Sequence, residues 1–293
     1  MLRDDIRPTE FTLSCILSSL SLLPVERGTL VHALVIKSGL ELDAIVASTL
    51  VEMYFKFGLV DFAVEIFNKM VQRDLISWNT MIMGLADNGR VVETLDTFRE
   101  LLEKGPLPDQ ITLVGVLLAC QYGGLVEDAL AIFSEMESSY GIKPSKEHYS
   151  RIIELLCQDG RPYEAVDIVE AMCYEPDSSI LESVLCACAI LGDFRLATRI
   201  AKSLVELEPQ SSLSYLILAW MYEMRGQWGD VVRVKKTMEG KRVKKVIGCS
   251  LIGIRNTVYS FEANQLQHHG GRDIYFVLRL LNWEMEDEID FCL

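Results

Sequence analysis

The sequence repeats with a period of 31 to 36 residues, and this periodicity restricts the fold more than any other feature. Residues 75–109 show one unit. Apolar residues recur every three or four positions over 76–85 and again over 91–102, with an Asp-Asn-Gly turn between the two runs. Gly105 and Pro108 then end the second run, as is typical of helix termination. Each unit is therefore predicted to be a helical hairpin.

The same plan recurs in consecutive units that share a glycine turn and a Glu/Asp-Ala-x-x-x-Phe/Val pattern on the second helix. The five predicted repeats span residues 10–43, 44–74, 75–109, 110–145 and 146–177. A hairpin of this length has no core of its own, so about three or more must stack to bury their apolar faces. We expect an all-α solenoid of helix-turn-helix repeats, with a concave face lined by the first helices.

The flanking segments follow a related plan. Residues 1–9 are interpreted as the tail of a preceding repeat, which suggests that the chain is truncated at its N-terminus. Residues 178–245 are predicted to form two further, tetratricopeptide-like hairpins. Residues 246–293 are predicted to contain a β-hairpin around Arg255-Asn256, followed by a helix over residues 273–288.

Composition excludes several classes of protein. Half of the residues are apolar, which is too many for a disordered chain. The net charge of −14 argues against a duplex-DNA binder, because neutralising phosphates dominates such binding, but it does not exclude single-stranded RNA. No uncharged stretch is long enough to span a membrane. The acidic N-terminus is not a targeting peptide, so either the protein stays in the cytosol or the chain lacks that segment.

The cysteines are scattered and do not form a disulfide framework or a metal site. The eight of them include no CxxC pair, which indicates a reducing compartment and mostly buried, inert thiols. Cys186 and Cys188 lie on different faces of one helix and cannot easily chelate a metal together.

Motifs for catalysis are absent from the sequence. A zinc-dependent cytidine deaminase needs an HxE motif and a distant CxxC, and none of the four histidines begins HxE. The nucleophile and phosphate-binding patterns GxSxG, GxxxxGK[ST] and GxGxxG are also missing. We expect no enzymatic activity, no cofactor and no metal.

Several strings in the repeats resemble the plant pentatricopeptide repeat family: SWNTMIMGL (77–85), EIFNKM (65–70), IFSEM (132–136) and GIKPS (141–145). The alternation of long, short and standard repeats resembles one subclass of that family. Residues 206–238 and VKKVIGCSLIGI (243–254) resemble its C-terminal E and E+ extension, without the terminal deaminase domain. The tetratricopeptide signature W-x2-L-G-x2-Y does not occur up to residue 177.

The resemblance implies that RNA lies along the concave face, one base per repeat, and that the fifth and last residues of a repeat choose the base. The implied pairs are Ser14 with Asp43, Ser48 with Asp74, Asn79 with Asp109, Val114 with Ser145, and Ser150 with Asp177. The second residue of each repeat is implied to pack against the bases. These residues are Phe11, Ile45, Ile76, Ile111 and Glu147, of which Glu147 departs from the apolar pattern.

The chemistry of these pairs agrees with base reading. An ionised aspartate only accepts hydrogen bonds, so it favours G or U, which offer a ring N–H, over A or C. Serine beside G and the longer asparagine beside U give the order G-G-U-N-G, in which Val114 leaves the fourth base unread. The alternative is that these serines and aspartates are ordinary helix N-caps.

The extension carries two further features with two interpretations each. A basic cluster could contact RNA phosphates or could be a solvated helix end; it comprises Arg233, Lys235, Lys236, Lys241, Arg242, Lys244 and Lys245. Trp220 and Trp228 are expected to lie in the core rather than at an interface.

These observations predict a sequence-specific adaptor for single-stranded RNA in a mitochondrion or chloroplast, with its targeting peptide absent from this chain. It would present a cytidine for C-to-U editing to a deaminase supplied in trans, recruited with helper proteins by the C-terminal extension. A splicing or stability factor and a tetratricopeptide-like protein scaffold are the alternatives. No membrane or DNA partner is expected.

Overall fold

The computed structural model describes residues 8–20 and 25–243, together with the backbone of residues 249–254 and 257–262. The chain divides into two compact units, Met1–Lys236 and Thr237–Leu293. The described helices are α1 (Glu10–Ser19), α2 (Val25–Ser38), α3 (Ala44–Lys56), α4 (Val60–Lys69), α5 (Leu75–Asp87), α6 (Val91–Lys104), α7 (Gln110–Gly123), α8 (Val126–Tyr140), α9 (Lys146–Gln158), α10 (Pro162–Ala171), α11 (Ser178–Leu191), α12 (Phe194–Leu207), α13 (Leu213–Met224) and α14 (Trp228–Gly240).

The odd-numbered helices, here called first helices, stack in one row from α1 to α13. From α1 to α12, each first helix also packs against the even-numbered second helix that follows it in the chain. This arrangement confirms the predicted all-α solenoid. How the hairpins group into repeats of the family stays a prediction.

Burial patterns distinguish the two kinds of helix. Every residue of α7 from Thr112 to Cys120 is buried, because a first helix is covered by a neighbour on each side and by its own second helix. The second helix α6 instead buries one stripe, formed by Thr94, Phe98 and Leu101. The sequence pattern of α6 is therefore amphipathic, whereas that of α7 is almost continuously apolar.

The apolar core extends along the stack as two main clusters of buried side chains. One cluster of buried side chains joins α1 to α8, and a second joins α7 to α13. Ile132 and Phe133 of α8 pack against both clusters. The central hairpin α7–α8 thus couples the two halves, as expected for repeats that bury their faces on their neighbours.

Glycine in a left-handed conformation follows each first helix from α3 to α13, whereas α1 is followed by Leu20 in a right-handed conformation. At Gly89 φ is 70°, a conformation that costs glycine little, and the N–H of Arg90 donates to the carbonyl of Leu85 at 2.9 Å. The same bond joins Leu59 to Tyr54. These turns reverse the chain tightly enough for the second helix to lie along the first.

The strands lie in the second unit and form the predicted β-hairpin. The strand β1 (Cys249–Ile254) pairs antiparallel with β2 (Thr257–Glu262), with Cys249 opposite Glu262 and Ile254 opposite Thr257. Arg255, Asn256 and the helix predicted over residues 273–288 lie outside the described residues. None of the described helices combines the length and apolar character that crossing a bilayer requires.

Candidate nucleic-acid interface

The aspartates predicted at the ends of the repeats lie just before the first helices, and each of them caps a helix. Asp74 Oδ1 accepts a hydrogen bond from the backbone N–H of Ser77 at 2.8 Å. Equivalent capping bonds recur at Asp43, Asp109 and Asp177. The capping role considered from the sequence is therefore present, and base reading by the same residues stays a prediction.

Asn79, Asp109 and Thr112 form a hydrogen-bonded triangle where α5 meets α7. Asn79 Nδ2 donates to Asp109 Oδ1 at 3.0 Å. The Thr112 hydroxyl lies 2.5 Å from Asn79 Oδ1 and 3.0 Å from Asp109 Oδ1, and it accepts from the backbone N–H of Asp109 at 3.1 Å. The predicted fifth and last residues of the third repeat are thus in direct contact.

Asp109 is ionised in this triangle at neutral pH. Its partial burial alone would raise the pKa, but hydrogen bonds from Thr112 and Asn79 outweigh burial and hold the pKa of Asp109 below its ordinary value. The carboxylate is therefore an acceptor only.

Ser48 and Asp74, the predicted pair of the second repeat, are joined through Ser77. Ser48 Oγ donates to Ser77 Oγ at 3.1 Å, and Ser77 Oγ donates to Asp74 Oδ1 at 2.6 Å. Ser77 holds the same position relative to Asp74 that Thr112 holds relative to Asp109. In both the second and the third repeat, the two residues of the predicted pair are therefore linked by the third residue of the repeat that follows. These linking residues are Ser77 and Thr112.

The remaining predicted pairs are arranged differently. Ser14 Oγ lies 2.9 Å from the hydroxyl of Thr49. Val114 is only 5% exposed and presents no hydrogen-bonding group. Ser145 caps α9, and Ser150 is half-buried on the same helix.

A cleft of about 700 Å³ lies between α3, α5 and α7, and the Asn79–Asp109 pair lines it. Ile76 and Ile111, the predicted base-packing residues of two adjacent repeats, also line the cleft and are 68% and 55% exposed. A volume of this size lies within the range of small-molecule sites. The cleft thus brings apolar side chains and a polar pair together.

The other residues predicted to pack against bases are also accessible. Phe11 and Ile45 are exposed large apolar side chains at the second positions of their helices, and Glu147 is exposed on α9. Exposed apolar residues at equivalent positions of successive first helices mark a face that can contact a ligand.

His148 is fully buried at the start of α9, with both ring nitrogens engaged. Nδ1 accepts from the backbone N–H of Ser145 at 3.2 Å, and Nε2 lies 3.0 Å from the carbonyl oxygen of Gln110. A carbonyl can only accept, so the ring is neutral and carries its proton on Nε2. Burial lowers the pKa of His148, although the bond to Gln110 and the nearby Glu147 oppose the shift.

His148 is expected to make the fold less stable in acid. Its pKa in the folded state lies below the unfolded value, so its contribution is complete above about pH 6.5 and falls as pH decreases through that value. The loss is at most about 1.4 kcal/mol per pH unit. Urea midpoints of wild type and His148→Gln at pH 7.5 and 5.5 measure it. If both proteins lost the same free energy of unfolding between pH 7.5 and 5.5, the role given to His148 would be contradicted.

The predicted phosphate-binding cluster is exposed where the structure describes it. Lys235 Nζ lies 2.8 Å from Glu223 Oε1, so this lysine is already paired. Lys236 of α14 is exposed, as are Lys241 and Arg242 beyond that helix. Lys244 and Lys245 lie outside the described residues. Contact between these side chains and RNA stays a prediction.

The expectation that Trp220 and Trp228 lie in the core is wrong. Trp220 is 47% exposed and Trp228 is 65% exposed, and Met224, which lies between them in the sequence, is 72% exposed. Tryptophan at a helical spacing resembles a core residue in the sequence, but α13 and α14 are the last described helices, and no further helical hairpin follows them among the described residues. The result is an exposed apolar surface.

The thiols are less uniformly buried than expected. Cys120 and Cys188 are buried, and burial raises the pKa of each to about 11, so both are inert thiols at neutral pH. Cys15 and Cys173 are exposed, and Cys186 is partly exposed. In the part of the chain that the structure describes, no group of three or more His, Cys, Asp or Glu side chains could hold a metal ion.

Sequence reasoning missed the third residues of the repeats. Ser77, Thr112 and His148 lie three positions after a capping residue, and each one bonds to that residue. The signal was present in Asp109-x-x-Thr112, which is a capping-box spacing with threonine in place of the usual glutamate.

Models of two known sequence families match the chain. The PPR repeat matches residues 45–75, 76–106 and 147–175, and the E motif matches residues 192–253. These matches cover the central repeats and the extension that follows them.

Curated relatives from Arabidopsis thaliana match nearly the whole chain. A pentatricopeptide repeat-containing protein named mitochondrial is 48% identical over 284 residues, which are 97% of this chain and 45% of the relative. Another, named chloroplastic, is 35% identical over 294 residues, which are 99% of this chain and 54% of the relative. The chain thus spans about half the length of these relatives.

Solved structures share the fold. The crystal structure of the pentatricopeptide repeat protein PPR10 from maize aligns with a TM-score of 0.65 and 21% identity, covering 82% of this chain and 36% of PPR10. PPR10 in complex with an 18-nt psaJ RNA element aligns with a TM-score of 0.61 and 20% identity, again covering 82% of this chain and 36% of PPR10. From its repeats, its E motif and these relatives, the chain belongs to the pentatricopeptide repeat family, in the subclass that carries an E motif.

Proposed function

We propose that this chain is a sequence-specific adaptor that binds single-stranded RNA through its first helices. The observation that supports this most is the cleft in which the Asn79–Asp109 pair lies beside Ile76 and Ile111. Such a site offers apolar contact for the faces of a base and hydrogen bonds for its edge. These are the two interactions by which repeat proteins read single-stranded RNA.

The cleft fits a uracil by its hydrogen-bonding groups. The ionised Asp109 accepts a hydrogen bond from a ring N–H, which U and G have and A and C lack. Asn79 brings amide donors, which the carbonyl oxygens of uracil can accept. The isoleucines at 76 and 111 would cover the two faces of the base, and burying each is worth about 1.5–3 kcal/mol at most.

The complete RNA recognition sequence that we propose is G-G-U-N-G, with one base for each repeat from the N-terminal to the C-terminal one. Ser48, linked to Asp74 through Ser77, supports G at the second position. Val114 is buried and apolar, which supports an unread fourth base. The first and last positions depend on Ser14 with Asp43 and on Ser150 with Asp177.

The proposed biological role is selection of a C-to-U editing site in a plant organelle. Relatives named mitochondrial and chloroplastic support an organelle without distinguishing between the two. The E motif supports an editing function, in which the extension would recruit a deaminase or helper protein in trans. The exposed apolar surface of Trp220, Met224 and Trp228 suits such a protein partner.

Binding is tested first with the whole chain and fluorescent single-stranded RNA containing GGUCG. We expect binding that weakens as salt is raised, because phosphate contacts release counterions. Duplex DNA of the same sequence is expected to bind far more weakly, because the Watson–Crick edges of its bases are already paired and the chain is acidic. Equal binding to an RNA with all four specified bases changed would refute sequence-specific reading.

The editing role is tested by sequencing organelle transcripts from plants with and without a functional copy of the gene. We expect lost C-to-U conversion at one or a few sites, with GGUNG a few bases upstream. Normal editing with an altered spliced or trimmed transcript would instead indicate a splicing or stability factor. Unchanged transcripts would favour a protein scaffold.

A further inference from the structure

We propose that the third residue of a repeat orients the base-reading pair of the repeat before it, with Thr112 orienting Asn79 and Ser77 orienting Ser48. The inference rests on the proposed function, since it assigns positioning residues to that RNA site. It follows from the hydrogen bonds of two hydroxyl groups, those of Thr112 and Ser77. Each of them contacts both the fifth and the last residue of the preceding repeat.

Thr112 determines which way the Asn79 amide faces. Its hydroxyl accepts from the backbone N–H of Asp109, so its single proton is available to donate, and the shorter of its two acceptor distances is the 2.5 Å to Asn79 Oδ1. Turning the amide over would place Asn79 oxygen, rather than nitrogen, about 3.0 Å from Asp109 Oδ1. Two acceptors would then face each other, one of them charged. Thr112 and Asp109 together therefore favour one amide orientation.

Ser77 determines what Ser48 can offer to a base. Ser48 donates its only hydroxyl proton to Ser77, which in turn donates to Asp74. Ser48 is left as an acceptor, and the Watson–Crick edge of G presents N–H donors, including the exocyclic N2 amine. Without the Ser77 hydroxyl, Ser48 could rotate and donate, which would favour other bases.

The inference also distinguishes pairs that have a neighbouring hydroxyl group at the third position from pairs that do not. The equivalent third residues beside the first and fifth predicted pairs are Val46 and Ile180, which have no hydroxyl group. Ser14 accordingly contacts Thr49. We infer that the second and third bases are discriminated more sharply than the first and fifth.

The test uses the whole chain and an RNA set in which the second and third bases are varied separately among all four nucleotides. Thr112→Val keeps the shape of threonine and removes the hydroxyl group, whereas Thr112→Ser keeps the hydroxyl group. We expect Thr112→Val to reduce the preference for U at the third base about tenfold, which corresponds to roughly 1.4 kcal/mol. Thr112→Ser should retain most of that preference.

Ser77→Ala is the second variant, and each variant is the control for the other. We expect it to reduce the preference for G at the second base while the preference at the third base stays as in wild type. Ratios between bases, rather than affinities, are the readout, because loss of a cap lowers stability without changing which base is preferred. Thermal melting confirms that each variant is folded.

The possible results separate the inference from the function on which it rests. A wild-type preference for U that Thr112→Val retains in full would overturn the inference and leave the proposed function intact. The same applies if Ser77→Ala retains the full preference for G. A wild-type chain without preference at either base overturns the proposed function together with the inference. If Thr112→Val does not fold, Ser77→Ala decides between these results.

Discussion

Replacing Asn79 with serine is expected to move the preference at the third base from U toward G. Asn79 is the longer member of a pair with Asp109, and the neighbouring Ser48–Asp74 pair shows how a serine is arranged in the same place. A serine hydroxyl cannot reach as far into the cleft as the amide. One base contact is worth about 1–3 kcal/mol by analogy with DNA readout, so the ratio of U to G binding should change roughly tenfold or more.

A binding series with each of the four bases at the third position measures this change. Asn68→Ser is the matched control, since it makes the same substitution at an exposed position of the second helix α4. We expect the control to keep the wild-type order of bases. An unchanged order in Asn79→Ser would show that Asn79 does not choose the base.

Replacing Leu85 with alanine is expected to be among the most damaging changes to stability. Leu85 is fully buried in the core cluster that joins α1 to α8, and it lies on α5, which also carries Asn79. Removing the side chain leaves a cavity among neighbours that relax only partly. Such substitutions lower the free energy of unfolding by about 2–5 kcal/mol.

Thermal unfolding followed by circular dichroism measures the loss. Leu107→Ala is the control, because Leu107 is 88% exposed in the connection between α6 and α7. We expect a clearly lower midpoint for Leu85→Ala and a midpoint close to wild type for Leu107→Ala. Equal midpoints in the two variants would contradict a core in which stacked hairpins bury one another.

The hairpins were predictable from the sequence because their causes are local. An apolar spacing of three or four residues, a glycine after each first helix from α3 to α13 and an aspartate before four of the first helices all act within one turn of helix. The structure has a left-handed glycine at Gly89 and a cap at Asp74, where those signals occur. The β-hairpin was predictable for a similar reason, since its two short strands are adjacent in the chain.

The relation between the helix caps and the residues predicted to read bases could not be predicted from the sequence. From the sequence, an aspartate before a helix is either a cap or a reader, and these seemed to be competing explanations. In the structure Asp109 caps α7 and also accepts a hydrogen bond from Asn79, 30 residues earlier in the chain. A carboxylate can accept several hydrogen bonds, so the two roles are compatible.

The burial of the two tryptophans near the end of the helical stack was predicted wrongly, because burial depends on how separate helices pack against each other. Trp220 and Trp228 have the character of core residues, but whether a side chain is covered depends on what packs over it. The described part of α13 and α14 leaves both tryptophans exposed. Cys15 is exposed although α1 is a first helix in the stack.

The sequence by itself determined that this chain folds as stacked helical hairpins and which residues occupy equivalent positions in each hairpin. Both follow from the period of the pattern, since a helix places residues on its faces according to their spacing alone. Only the tertiary structure decided that Asn79, Asp109 and Thr112 meet beside a cleft between Ile76 and Ile111. These residues come from two adjacent hairpins, and the distance between their side chains depends on how the first helices pack, which no local pattern encodes.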